Sequence, residues 1–239
     1  MKSSAPSAIA VIGFVFVVLV VAVLWIRAVI GTRSRPPGSL SPRVGQALGV
    51  LVVTLVIPAV LTQAGLLRRY DQLPAPALVM IALITVFTMV IAFSPLGTRL
   101  ARESPLAGLV GFQFFRVGVE LMLHRLHVDR VIPEQMTYSG LNFDIVSGIG
   151  AAFVALFLYS GRRSRRLVYG WNVLGFALLA NIVTIAVLST PVPFRKFMQD
   201  PPNLLPSTFP FVWLPTFLVQ AALFGHVLVF RALAMRRRR

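Results

Sequence analysis

The chain has 239 residues, of which 57% are hydrophobic and only 13% are charged, and its mean hydropathy is +0.83. Soluble domains contain about 25% charged residues, so this composition indicates an integral membrane protein. The net charge of +16 does not point to nucleic acid, because arginines placed between apolar runs orient membrane helices. The absence of cysteine excludes disulfides, thiolate catalysis and iron–sulfur clusters.

Seven apolar runs approach the roughly 20 residues that a helix needs to cross a ~30 Å hydrocarbon core. They predict an all-α, polytopic bundle of transmembrane helices that forms one membrane domain over residues 1–239. The predicted spans, α1 to α7 in chain order, cover about residues 8–30, 44–67, 75–93, 105–127, 142–161, 167–188 and 211–234. Pro58 is predicted to kink α2, and Ser94-Pro95-Leu96-Gly97 is predicted to end α3. The apolar core of α1 is longer than that of a signal peptide and its basic residues follow it, so we expect α1 to persist as a span.

The positive residues are distributed unevenly between the two sides of this predicted bundle. Fifteen of the 23 Lys and Arg residues lie at or beyond the ends of α1, α3, α5 and α7 that share one side. Positive residues mark the cytoplasmic side, so the N-terminus is predicted outside and the C-terminus inside a cell membrane of the bacterial inner-membrane type. We expect the terminal run, Arg236, Arg237, Arg238 and Arg239, to contact anionic lipid of the inner leaflet.

The most unusual feature is a polar stripe on α4. Gln113, Arg116, Glu120, His124 and His127 recur at steps of three or four, which places them on one face of a helix. Ionisable residues inside a span are costly and usually face the bundle interior with a partner. Arg116 and Glu120 are four residues apart and are predicted to pair with each other, while the two histidines lie at the outer rim.

Counting residues from the helix ends places Asn181 on α6 and Gln220 on α7 at a similar depth, with Gln63 on α2 nearer the rim. We therefore predict an outward-facing polar pocket formed by Arg116, Glu120, Asn181 and Gln220. The proline-rich residues 190–210 are predicted to cap this pocket.

Two other polar residues receive structural interpretations from the sequence. Asp144 is predicted to lie in the first turn of α5, where its charge is favourable to the helix dipole. His226 is predicted to be a hydrogen-bonded core histidine of α7, outside the pocket.

A divalent-metal site is the second interpretation of the stripe. Glu120, His124 and His127 offer a carboxylate and two imidazoles, a set that suits Zn²⁺ or Fe²⁺. The spacing matches neither His-Glu-x-x-His nor Glu-x-x-His, so no known metal-binding motif supports this interpretation.

Three functions remain open at the level of sequence. The first is binding or transport of a small polar molecule, an ion or a lipid headgroup in the pocket. The second is a membrane-embedded enzyme, with or without a metal, that acts on a lipid or small substrate. The third is a structural or assembly subunit without a ligand, in which buried polar side chains only fix helix packing.

Overall fold

The computed structural model describes residues 5–31 and 40–236, and this part of the chain is helical without any strand. Six helices within these residues are long and apolar enough to cross a membrane. Their bounds are Ala8–Ile30 for α1, Pro42–Gln63 for α2, Pro76–Phe93 for α3, Leu106–Val128 for α4, Arg165–Leu188 for α6 and Leu214–Arg236 for α7. The protein is therefore a helical membrane protein with several spans. Arg33, Arg35 and the final Arg237, Arg238 and Arg239, which entered the orientation and lipid predictions, lie outside the described residues.

The seventh predicted span, α5, is a shorter apolar helix, Asp144–Tyr159, of 16 residues. At 1.5 Å per residue it is about 24 Å long, less than the hydrocarbon thickness. It runs antiparallel to α4, because a Cβ at Gly148 would meet Val117 and one at Gly111 would meet Ala155. Residues 129–143, which precede α5, enter the bundle, where Thr137 and Asn142 are fully buried.

Helix α7 is the centre of the bundle. In its most apolar window 67% of the residues are buried, against 17–39% in the other five long helices. It packs against α3, α4 and α6 and against a short helix, Pro95–Glu103, which the sequence did not predict.

Helices α2 and α7 each contain a π-helical turn, at Val52–Val56 and Leu214–Leu218. The turns pack against each other, and the Trp213 indole donates a hydrogen bond of 2.9 Å to the Leu55 carbonyl. In α2 the turn precedes Pro58, the residue predicted to kink this helix. A proline lacks the N–H that a regular helix needs, and a π turn is one way in which a helix absorbs that defect.

The end of the bundle at which α4 ends and α5 begins, called here the connector end, is closed by residues 129–143 and 189–213. The amide of Asn203 donates to the Ala186 carbonyl at 3.0 Å, which ties the second segment to α6. At the same end, Asp129 accepts the Ser7 backbone N–H at 2.8 Å and pairs with Arg125 at 3.1 Å, joining the start of α1 to the end of α4. Burial raises the pKa of the Asp129 carboxyl, but the hydrogen bonds from Ser7 and the charge of Arg125 outweigh it and leave the pKa lowered.

Candidate functional site

Arg116 is the buried centre of the polar side chains, and only 2% of it is exposed. Its partner is Asp144, the first residue of α5. The Arg116 Nε donates to Asp144 Oδ2 at 2.6 Å, and Nη2 donates to Oδ1. Two parallel hydrogen bonds of this kind are the strongest geometry between a guanidinium and a carboxylate. The two side chains therefore form one neutral, buried ion pair between α4 and α5.

The remaining donors of Arg116 reach α5, α6 and α7. Nη1 donates to the Ser147 hydroxyl at 2.7 Å, and both Nη atoms are 3.3 Å from the Gly175 carbonyl. Nη1 also lies 2.7 Å from His226 Nε2. Because a guanidinium can only donate, Nε2 must accept, which places the ring proton on Nδ1. That proton is donated to Asn172 Oδ1 at 2.8 Å.

Gly175 permits this arrangement by having no side chain. A Cβ at Gly175 would lie 2.6 Å from the His226 ring and even closer to the Ser147 hydroxyl. Van der Waals contact requires more than 3.4 Å, so only glycine lets α6 approach α5 and α7 at this level. The close approach exposes the Gly175 carbonyl to Arg116.

Glu120 lies one turn further along α4 and is 1% exposed. Its Oε2 accepts a hydrogen bond of 2.7 Å from Asn142 Nδ2, which also donates to the Met136 carbonyl at 3.0 Å. Asn142 Oδ1 in turn accepts the Asp144 backbone N–H at 3.1 Å. Asn142 therefore connects Glu120 to the Arg116–Asp144 pair.

The predicted pairing of Arg116 with Glu120 is wrong, although both are buried. Asp144 meets the guanidinium from the end of a neighbouring helix, where its two oxygens can face two N–H groups. Asp144 does lie in the first turn of α5, as predicted, and also carries this ion pair.

His226 is a buried, hydrogen-bonded core histidine as predicted, and it does not line the cavity described below, but its contact with Arg116 was not predicted. The prediction compared its depth with that of Glu120 and not with that of Arg116. Arg116 lies near the middle of α4 and His226 near the middle of α7, so the two side chains meet at the same level.

A cavity of ≈ 90 Å³ adjoins the site between α3, α4, α6 and α7. Arg116, Glu120 and Asp144 lie at its deep end. Thr190, Asn203 and Pro206 lie at its connector end and belong to residues 189–213, called here the covering segment. The walls between these ends are apolar. They include Leu78 and Ile81 of α3, Phe115, Val119 and Leu123 of α4, Leu179, Ile182, Val183 and Val187 of α6, and Leu214, Leu218 and Val219 of α7.

Asn181 and Gln220 do not line this cavity, so their predicted convergence with Arg116 and Glu120 is wrong. Asn181 is on the exposed face of α6, where it donates to the Leu141 carbonyl at 2.9 Å. Gln220 lines a second cavity of ≈ 50 Å³ near α1, α2 and α3, and donates to Thr85 and to the Pro215 carbonyl. Residue counting gave the depth of both side chains but not the helix face on which they lie. Gln63, placed near the rim by the same counting, is exposed.

The predicted metal set does not converge either. The His124 ring stacks on Tyr138 with centroids 4.6 Å apart, and His127 Nδ1 lies 3.3 Å from the Ile132 carbonyl. Glu120 points instead to Asn142. Within residues 5–31 and 40–236, no three His, Asp or Glu side chains are grouped in a way that could hold a metal ion.

The sequence interpretation missed Asn142, Ser147, Asn172 and Gly175. The signal that could have identified Asn172 is an amide in the middle of an otherwise apolar stretch of α6. Ser147 and Gly175 carry no such signal, because small residues are common wherever membrane helices pack closely.

The fold and this buried network define a polytopic helical membrane protein with a buried charged centre. Residues 73–234 match the model of a family described as a domain of unknown function, DUF8737. The match covers more than half of the chain, and the protein belongs to this family. The matched range runs from before α3 into α7 and contains Arg116, Glu120, Asp144 and His226. No curated protein and no solved structure matches the chain.

Proposed function

We propose that the protein binds a small molecule, an ion or a lipid headgroup in the cavity, at Glu120, and moves it within or across the membrane. The observation that carries this proposal is the cavity itself, which leads from the covering segment at the connector end to a buried carboxylate. Apolar walls with a few convergent polar groups at one end are the usual composition of a ligand pocket. Ionisable side chains in membrane spans are most often found on such pathways.

We further propose that all seven helices cross the membrane, with the N-terminus outside and the cavity opening outward. The antiparallel packing of α5 on α4 supports a crossing α5, because Tyr159 lies beside Gly108 near the opposite end of α4. Residues 129–143 supply the missing length, since irregular backbone is tolerated at membrane depth where protein buries it. The arginine-rich end of the bundle then faces the cytoplasm, in a cell membrane of the bacterial inner-membrane type.

A structural role is the second candidate, and the complete hydrogen bonding of Arg116 favours it. A buried ion pair with satisfied donors can fix the relative positions of four helices without any ligand. A substitution of Glu120 distinguishes the two proposals, because Glu120 lines the cavity but does not belong to the Arg116–Asp144 pair.

Native mass spectrometry of the protein, extracted in mild detergent, tests the proposal. The variants are Glu120→Gln and, as a matched control, Glu134→Gln, which removes an exposed carboxylate from the segment before α5. We expect a small-molecule adduct on the wild type and on Glu134→Gln that is lost from Glu120→Gln, with melting temperatures within a few degrees of each other. Equal adducts on all three proteins would contradict a ligand site at Glu120. A collapse of the Glu120→Gln melting temperature without any wild-type adduct would support the structural role instead.

A further inference from the structure

We propose that the ligand of the cavity is an organic cation with an apolar body, of the alkylammonium or arylammonium class, whose charge is balanced by Glu120. This inference rests on the proposed function and adds to it the sign of the ligand's charge. It depends on which of the buried charges already have partners.

Arg116 is not available to an anion. Its Nε and Nη2 are taken by Asp144, and Nη1 by Ser147 and His226, with Gly175 completing the shell. An anionic ligand would have to displace a bidentate carboxylate that is already buried. The positive charge at the deep end of the cavity is therefore neutralised before any ligand arrives.

Glu120 is buried and forms no ion pair with any of the described residues. Its Oε2 accepts one hydrogen bond, from the neutral amide of Asn142, and its Oε1 accepts none from the described residues. A carboxylate has about four acceptor positions, so most of its capacity is unused. An isolated carboxylate is costly in an apolar interior, which means that a proton or a cation has to balance it.

The cavity walls select the kind of cation. The other polar side chains of the lining are those of Thr190 and Asn203, and each donates a hydrogen bond to the Ala186 carbonyl. A hydrated inorganic cation would lose water here without gaining the six or so oxygen ligands that it needs. An alkylated ammonium has weakly held water and apolar substituents, which the leucine, isoleucine and valine side chains can cover, and Phe115 adds an aromatic ring to the lining.

Three probes of matched shape and different charge test the sign of the ligand. Phenyltrimethylammonium is cationic, tert-butylbenzene is its neutral isostere, and benzenesulfonate is an anion of similar size. Binding is measured by titration calorimetry on the full chain in nanodiscs of zwitterionic lipid, so that surface charge does not concentrate the cation. We expect saturable binding of the cation alone, weakened at least about tenfold by Glu120→Gln, a change of about 1.4 kcal/mol. Glu134→Gln should leave it unchanged.

Tighter or equal binding of tert-butylbenzene or benzenesulfonate would overturn the inference. If that binding is blocked by Val183→Phe, which fills the cavity wall, the proposed function stands and only the sign of the charge is wrong. Cation binding that survives Glu120→Gln would also overturn the inference. Binding of none of the probes contradicts the inference, and the adduct experiment then decides separately whether the cavity has any ligand.

Discussion

At the scale of single residues, the Arg116–Asp144 pair is predicted to matter most for stability. Arg116→Leu leaves Asp144 buried without a counter-charge, and we expect the free energy of unfolding to fall by about 3–5 kcal/mol. The double variant Arg116→Leu, Asp144→Leu should recover much of this loss, because it removes both charges. Thermal unfolding in detergent measures both effects.

The control for this pair is Arg125→Leu. The Arg125 side chain is 40% exposed in its ion pair with Asp129, so its removal should cost less than about 1 kcal/mol. The assignment would be contradicted if the double variant were as unstable as Arg116→Leu and Asp144→Leu added together, since the leucines would then lose packing and not electrostatic balance.

Residue spacing predicted that Arg116 and Glu120 are buried, but it did not predict their partners. Helical periodicity shows which side chains of one helix share a face, whereas Asp144 reaches Arg116 from the start of another helix. The rotation of α5, α6 and α7 about their own axes decides which polar side chains face inward. That rotation places Asn172 inside and Asn181 outside, although both are amides of the same helix.

At the scale of elements, the close contact of α4 and α5 depends on Gly148. A Cβ there would lie 2.8 Å from Val117 Cγ2 and 3.0 Å from the Val117 backbone nitrogen, and backbone cannot move aside cheaply. We expect Gly148→Ala to lower the melting temperature and to separate Arg116 from Asp144, at a cost of about 1–3 kcal/mol.

Gly170→Ala is the matched control for this prediction. Gly170 is a helical glycine of α6, and a Cβ there would meet nothing within 4 Å. The substitution should therefore be neutral or stabilising by up to about 1 kcal/mol, because alanine is the better helix former. Equal melting temperatures for both alanine variants would show that α4 and α5 are not held at the distance described.

The apolar pattern predicted the existence of the long helices well and their internal irregularities poorly. Pro58 indicated a defect in α2, but the π turn at Val52–Val56 and its counterpart at Leu214–Leu218 depend on contacts between the two helices. The helix Pro95–Glu103 was missed because its Ser-Pro-Leu-Gly start was interpreted as the end of α3. In the structure the Ser94 hydroxyl caps this helix and accepts the Gly97 N–H at 3.4 Å.

At the scale of the whole molecule, the arrangement in the membrane depends on α5. In the part of the chain that the structure describes, six helices have the length and hydropathy of spans, and α5 does not reach that length. If α5 crosses, residues 129–143 and 189–213 lie on one side and Arg162, Arg163 and Arg236 on the other. If it does not cross, residues 129–143 share a side with Arg162, and positive residues no longer collect on one face.

Single cysteines distinguish these two arrangements, and the chain has no cysteine to interfere. Gln72, Gln199 and Ser160 are exposed in the segments before α3, before α7 and after α5. With seven spans and the N-terminus outside, a membrane-impermeant maleimide added to intact cells should label Gln72→Cys and Gln199→Cys, but Ser160→Cys only after the membrane is opened. Labelling of Gln72→Cys without Gln199→Cys would mean that α5 does not cross. Labelling of Ser160→Cys alone would mean that the orientation is the reverse of the proposed one and that the cavity opens to the cytoplasm.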